Sequence, residues 1–307
     1  MIGRSSPLAT VPMAADSIRY LLSDGDPPLR PVGAAVDPEK DQAQQIAIAC
    51  RFPKNAIFKD RSARWLTESL PRPHRIVVRD VGQASLCSAL DDQGKELFHL
   101  DAGWPISFNL KTAGGKPKLR VLAAPVILSH WDWDHLHGYH AIPGLSDGTW
   151  IAPVQRLGPG AARVAHTLAK DGRLFGVRQA KLAGGPIRMG RCKGKVGNLN
   201  QTGLCTEVAL RSGKILRFMG DADYQHSPSK MTALPNYIVA THHGANFAGR
   251  TVSPAGRRGV CVFSVGKGNG YRHPSETSLA RHEKAGWSLQ FTCEWGGAPR
   301  GDRCLGP

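Results

Sequence analysis

The stretch Ser129-His130-Trp131-Asp132-Trp133-Asp134-His135 follows directly on the apolar run 121–128 and constrains the rest of the chain more than any other segment. Four side chains able to bind a metal, His130, Asp132, Asp134 and His135, fall in the pattern His-x-Asp-x-Asp-His. The apolar run predicts a buried strand, and a turn at its end can aim several of these groups at one point, about 2 to 2.3 Å from an ion. A fold that accepts this stretch buries the strand and exposes its last residues.

The same texture recurs along the chain. Ile76-Val77-Val78 leads to Asp80-Val81-Gly82-Gln83, and strands at 84–90 and 96–100 are joined by the turn Asp91-Asp92-Gln93-Gly94. The second of these ends in Asp101-Ala102-Gly103. A third strand at 119–128 follows the basic loop 111–118 and delivers His130; a short helix or turn then runs to Pro143, and Trp150-Ile151-Ala152 reads as a strand. Residues 161–170 predict a helix closed by Asp171-Gly172. Residues 188–195 read as a Gly-rich loop carrying Arg188, Arg191, Lys193 and Lys195, either solvated or a basic lip over a polyanion groove. Strands at 204–210 and 215–219 lead to Gly220-Asp221-Ala222-Asp223, one at 237–240 to Thr241-His242-His243-Gly244, and one at 260–265 to Gly266-Lys267-Gly268-Asn269. His273-Pro274-Ser275 opens a helix to Lys284 with Gly286 past its end, and 289–292 is a closing strand. A polar motif falls repeatedly at the C-terminal end of a strand, which predicts a sheet-rich α/β scaffold with its site on the strand ends.

The order of these motifs from about residue 75 onward resembles the metallo-β-lactamase superfamily. Within it, Asp80-Val81-Gly82-Gln83-Ala84-Ser85, Ser264-Val265-Gly266 through Tyr271, His273-Pro274 and Thr292-Cys293-Glu294-Trp295-Gly296 resemble the nuclease-like domain of bacterial DNA-uptake (competence) channel proteins and their soluble relatives. The resemblance implies an αβ/βα sandwich, two mixed sheets flanked by helices, over residues 75–307, holding two divalent metal ions. Carried over by motif, His130, Asp132 and a group near Asn200 serve one ion. Asp134, His135 and one of His242 or His243 serve the other, Asp221 bridges the pair, and Asp101 supports a ligand imidazole from behind. The superfamily usually has His where Asp132 stands and at the position of Asn200, so the site reads as harder, favouring Mn²⁺ or Mg²⁺ with Zn²⁺ still possible.

The predicted activity is a nuclease or phosphodiesterase acting on nucleic acid, DNA first, through a metal-activated water. Two cations about 3.5 to 4 Å apart can hold the attacking and leaving oxygens of an in-line displacement, with Asp134, Asp221 and His273 as the catalytic set. His273, near a helix start, is a candidate proton donor or phosphate contact; Lys267 and Asn269 are candidates for positioning phosphate, and Arg191, Lys193 and Lys195 for binding it. Trp131 and Trp133 alternate with the ligands and suit either base stacking or walling of the site. The charge agrees with a polyanion: 40 Lys and Arg against 24 Asp and Glu, a net of +16. The same scaffold also supports hydrolysis of a small ester, lactone or lactam, or service as a basic binding subunit of a larger complex.

Residues 1–74 carry no chemical motif and read as an N-terminal extension, an added layer or a docking surface for a protein partner, with Pro27, Pro28 and Pro31 marking a loop and helical composition at 62–70. No secretory signal and no membrane span is predicted. The seven cysteines include no Cys-x-x-Cys pair and point to a reducing cytoplasm, although Cys293 and Cys304 could pair.

Overall fold

A computed structural model of the chain describes residues 40–57, 67–115, 119–178, 182–229, 231 and 233–307. The expected N-terminal loop around Pro27, the reading of the first residues as lacking a signal, most of the helix expected at 62–70 and the end of the basic loop 111–118 lie outside these residues.

Two seven-stranded sheets face one another. The first takes β1 (Arg75–Val78), β2 (Cys87–Leu90), β3 (Glu96–Leu100), β4 (Val126–Ile127), β5 (Trp150–Pro153), β6 (Leu174–Val177) and the C-terminal β14 (Arg303–Leu305), in the order β14-β1-β2-β3-β4-β5-β6. The second takes β7 (Leu182–Gly184), β8 (Ile187–Arg191), β9 (Leu204–Ala209), β10 (Ile215–Phe218), β11 (Tyr237–Val239), β12 (Gly259–Phe263) and β13 (Trp287–Phe291), in the order β13-β12-β11-β10-β9-β8-β7. Each sheet is mixed: β14-β1-β2-β3 pair antiparallel and β3-β4-β5-β6 parallel, while β7-β8-β9-β10 pair antiparallel and β10-β11-β12-β13 parallel.

Period-two alternation divides the strand residues among three cores. Ile127, Ile151, Leu204, Val208 and Val262 meet between the sheets. Trp150 and Ala152 turn to the outer face of the first sheet, against the helix α4 (Pro159–Lys170), which buries Ala161, Val164, Ala165 and Leu168 at helical spacing. Cys261 and Phe263 turn to the outer face of the second sheet, where α5 (Glu276–Lys284) packs along β13. The layers are helix, sheet, sheet, helix: the αβ/βα sandwich. Strands buried on both faces read as continuous apolar runs.

Several local expectations need correction. The strand expected at 119–128 pairs only at Val126–Ile127. Pro125 has no N–H to give a ladder, and upstream Val121 donates to the Pro143 carbonyl and Leu122 to a Glu96 carboxylate oxygen. The Gly-rich loop expected at 188–195 is half strand: Ile187 and Met189 are buried and β8 pairs with β9 through Arg191. The strand near 289–292 is not the last, since β14 returns to the edge of the first sheet. After α1 (Lys40–Ala49), Phe52 and Ala56 are buried in the helix-side core, with the Phe52 ring edge-on to Trp131 at 6.0 Å, as an added layer would be. All seven cysteines are free. Among the described residues no helix is long and apolar enough to cross a membrane.

Candidate metal centre

Five strand ends converge at one edge of the sandwich. β3 runs into Asp101, β4 into Ser129 and His130, β10 into Asp221, β11 into His242 and His243, and β12 into Ser264. The short helix α2 (Trp133–Leu136) carries Asp134 and His135 back over them. Asp101, His242 and His243 hold left-handed φ of 57°, 49° and 53°, a conformation costing roughly 1 kcal/mol or more per non-glycine residue and kept only where the surroundings fix it. Gly220 admits the close approach: with φ 57°, a Cβ there would lie 2.5 Å from the Ser129 side chain.

Asp221 is buried at the middle, and its two carboxylate oxygens face different groups. Oδ1 lies 2.9 Å from His135 Nε2. Oδ2 lies 3.7 Å from His130 Nε2 and 3.4 Å from His242 Nε2. Beyond His135 stand Asp134, with Oδ1 4.0 Å from His135 Nε2, and His243, with Nε2 3.2 Å from Asp134 Oδ2. Around Oδ2 stand His130, His242 and Asp132, whose Oδ2 is 3.4 Å from His130 Nε2. Donor atoms of His130, His135 and Asp221 lie mutually within 4.8 Å, as do those of Asp134, His135 and His243.

The hydrogen bonds behind the rings fix their tautomers. His243 Nδ1 is 2.8 Å from the Ser264 carbonyl, which can only accept, so Nδ1 carries the proton. His135 Nδ1 donates to Asp101 Oδ2 at 2.5 Å. Asp101 also accepts from Ser129 N at 2.6 Å and from Ser129 Oγ at 2.9 Å. With its single proton so used, Ser129 Oγ accepts from His130 Nδ1 at 3.0 Å. In their neutral forms all three imidazoles therefore turn Nε2 lone pairs inward, and His130 Nε2, His135 Nε2, His243 Nε2 and Asp221 Oδ1 are buried without a hydrogen-bond partner. Lone pairs facing carboxylate oxygens in a dry site repel unless a positive charge lies among them.

The electrostatics say the same. Burial works against the charge of Asp134, yet His135 and then His243 hold its carboxyl down at about 2. Burial likewise opposes ionisation of Asp221, but His135, His242 and His130 keep it well below the usual range. At His135, burial disfavours the cation and is outweighed by Asp221, Asp101 and Asp134, which drive the pKa well up. A pocket that binds a proton this firmly suits a divalent cation, and the nitrogen and carboxylate donors are those of a metal site. His273 differs: burial first, then His243 and His242, push it down to about 4, so it is neutral near pH 7.

Other candidates are placed less directly. Asn200 opens the turn Asn200–Thr202 ahead of β9; the third donor on the Asp221 Oδ2 side, with His130 and Asp132, is His242. Gln201 is the side chain that reaches across, its Oε1 accepting from Asp223 N at 2.9 Å and its Nε2 donating to Asp223 Oδ1 at 3.2 Å. Asn269 is occupied in the scaffold, donating to the carbonyls of Gly266 and His273 and accepting from His273 N. Lys267 is exposed and paired to Glu294 at 3.2 Å. Arg191 is no lip: its guanidinium donates to the Val154 carbonyl and burial lowers its pKa. Lys193 and Lys195 are exposed. Trp131 is core, its indole N–H on the Pro153 carbonyl, and the Trp133 ring lies over Gly160.

The sequence reading missed Ser129 and Ser264 as ring-orienting groups, and Gln83. Gln83 Oε1 accepts from Gly266 N at 3.3 Å, which leaves its amide to donate to His273 Nδ1 at 3.4 Å. His273 then carries its proton on Nε2. Gln83 stood within the quoted opening motif, but nothing in a linear pattern shows which loop its amide meets.

Fold and site together define an αβ/βα sandwich with a buried nitrogen–carboxylate cluster at its strand ends. No protein-family model matches the chain, and no curated protein matches it. Among solved structures the chain is similar to Zn²⁺-bound PqqB from Methylobacterium extorquens, at 14% identity and a TM-score of 0.41 over 75% of this chain and 99% of that one. It is similar to the metallo-β-lactamase fold protein YhfI from Bacillus subtilis, at 16% and 0.45 over 76% and 100%. It is also similar to Tm1679, a metal-dependent hydrolase of the β-lactamase superfamily, at 10% and 0.45 over 76% and 98%.

Proposed function

We propose that the chain is a binuclear metal-dependent hydrolase of phosphodiesters in nucleic acid, with DNA the favoured substrate. The observation that carries the reading is Asp221, whose Oδ1 faces His135 Nε2 while its Oδ2 faces the Nε2 atoms of His130 and His242. His130, Asp132 and His242 would hold one ion and Asp134, His135 and His243 the other, with Asp221 between them. The four imidazoles make this donor set softer than the linear motif suggests, so Mn²⁺ or Zn²⁺ fits it better than Mg²⁺. Divalent ions bound there would supply Lewis acidity and a water of lowered pKa.

The chain's own residues do the rest. Asp101 and Ser129 hold His130 and His135 in the ligating tautomer. His273, neutral and with its proton on Nε2, is set to donate a hydrogen bond to a phosphate or leaving oxygen rather than to act as a strong acid. Lys193 and Lys195 are free to meet a backbone, and the net charge of +16 favours a polyanion over a neutral ester. The resemblance of Asp80–Ser85 and the motifs near His273 to the nuclease-like domains of DNA-uptake proteins supports the same substrate class.

Incubation of the purified chain with labelled single- and double-stranded oligonucleotides and Mn²⁺ tests this. Cleavage is expected, lost on chelation, lost in the Asp134→Ala, His135→Ala double variant, and weakened by salt. Absence of cleavage with every divalent ion, or cleavage that survives the double substitution, rejects the reading.

A further inference from the structure

Phe108 and Tyr271 are 57% and 54% exposed. Single exposed hydrophobic residues need no explanation, but these two are joined. Their ring centroids lie 5.3 Å apart, edge to face. Tyr271 stacks on His273 at 5.5 Å and 27°, and His273 meets the His242 ring at 5.7 Å. A row of rings thus leads from the Asp221 Oδ2 side of the metal centre out to solvent. Burial and then repulsion from Asp134, Asp132 and Asp221 raise the pKa of the Tyr271 hydroxyl, which places the ring within the field of the cluster.

The row is assembled from two distant segments. Phe108 lies in the 3₁₀ segment Ser107–Ala113, and Tyr271 in the loop between β12 and α5. Gly270 N donates to Asn109 Oδ1 at 2.8 Å, and a Cβ at Gly270 would come within 2.4 Å of the Phe108 ring, so glycine lets the loops close. Arg272, at a left-handed φ of 59°, turns the chain between Tyr271 and His273. The Asn269 side chain clamps the His273 end of that turn, donating to His273 O and accepting from His273 N.

The geometry points to Phe108 and Tyr271 as a stacking platform for an unpaired base next to the phosphodiester held at the metal centre. The inference rests on the proposed substrate class and narrows it to a strand whose bases are free to stack. Every base offers a π face, so such a platform tolerates sequence, while the positive surface attracts the backbone that carries the base. The tryptophans within the ligand motif cannot do this, because Trp131 is buried and Trp133 is turned onto Gly160.

The test compares binding of a short labelled oligothymidylate with an abasic deoxyribose-phosphate strand of equal length, by fluorescence anisotropy on the full chain without divalent ions. The chain is expected to bind the base-bearing strand at least about fivefold more tightly. Phe108→Ala and Tyr271→Ala should erase that preference, while Tyr271→Phe, which keeps the ring, retains it; thermal midpoints should stay unchanged, since both side chains are exposed. Equal binding of the two strands by the unsubstituted chain, or an undiminished preference in both alanine variants, overturns the platform. Cleavage with Mn²⁺ separates the two ideas. Variants that cleave with unchanged base preference remove the platform and leave the phosphodiesterase reading; base-dependent binding with no cleavage in any divalent ion removes that reading and leaves the platform.

Discussion

The two sides of Asp221 are built differently. On the Oδ1 side His135 and His243 are buried, and each has its outer nitrogen tied to a fixed acceptor, the Asp101 carboxylate and the Ser264 carbonyl. On the Oδ2 side His130 is buried, but Asp132 and His242 keep 40% and 37% of their side chains open to solvent. Deep donors with supported tautomers lose little freedom on taking up a cation, whereas exposed ones must be immobilised. In the proposed binuclear site the closed side would hold its ion more tightly, and the open side would admit substrate oxygens beside an ion held less tightly.

The largest effect is expected where both sides fail together. Asp221→Ala removes the shared carboxylate, and the loss of metal affinity and of any hydrolysis should exceed the roughly 10- to 100-fold that loss of a supporting partner costs; metal analysis after gel filtration checks it. His243→Ala and His242→Ala probe the two sides separately. The first should cost more than about a hundredfold in affinity for the tighter ion and the second about tenfold for the weaker one, read by titration with Mn²⁺. Equal losses would mean that the two sides do not differ. Next, Asp101→Asn keeps the shape but can present a donor to His135 Nδ1, and should weaken metal binding by about 10- to 100-fold while leaving the fold intact.

The last effect is on stability and comes from behind the closed side. Tyr224 O–H donates to His282 Nε2 at 2.8 Å, since His282 Nδ1 donates to the Ser278 carbonyl, and Tyr224 accepts from Thr241 N at the start of the His242-His243 turn. Burial lowers the His282 pKa from 6.5 to about 4. The unfolded chain takes this proton first as pH falls, so the contribution is full above about 6.5 and is lost towards 4, at most on the order of 3 kcal/mol. His135 and His243, with raised pKa, act in the opposite sense. The effect is therefore read as the difference in thermal midpoint between the chain and His282→Gln across that window, which should shrink as pH falls.

How much was legible follows from where residues stand. Site residues at strand ends announce themselves because an apolar run stops at a polar motif, and this holds for Asp101, His130 and Asp221. His242 and His243 are adjacent, and in a regular strand or helix only one would face the cluster. Their successive left-handed backbones turn both inward, a property of the Thr241–Gly244 turn that no pattern of residue types reveals. The same limit sent attention to Asn200 for a third donor. Strand β8 was hidden because Arg188, Gly190 and Arg191 mask the Ile187 and Met189 alternation, and the place of Phe52 in the core depends on Gly176, where a Cβ would come within 2.6 Å of its ring. Orienting groups such as Ser264 and Gln83 act across loops far apart in the chain, so only the folded arrangement exposes them.

Calorimetric titration of the metal-free chain with Mn²⁺ decides whether Asp221 is shared between one tight and one weaker cation site. Two ions per chain are expected, bound with separable affinities, and neither at comparable strength in Asp221→Ala. A single ion per chain, or two whose binding is unchanged by that substitution, would contradict such sharing.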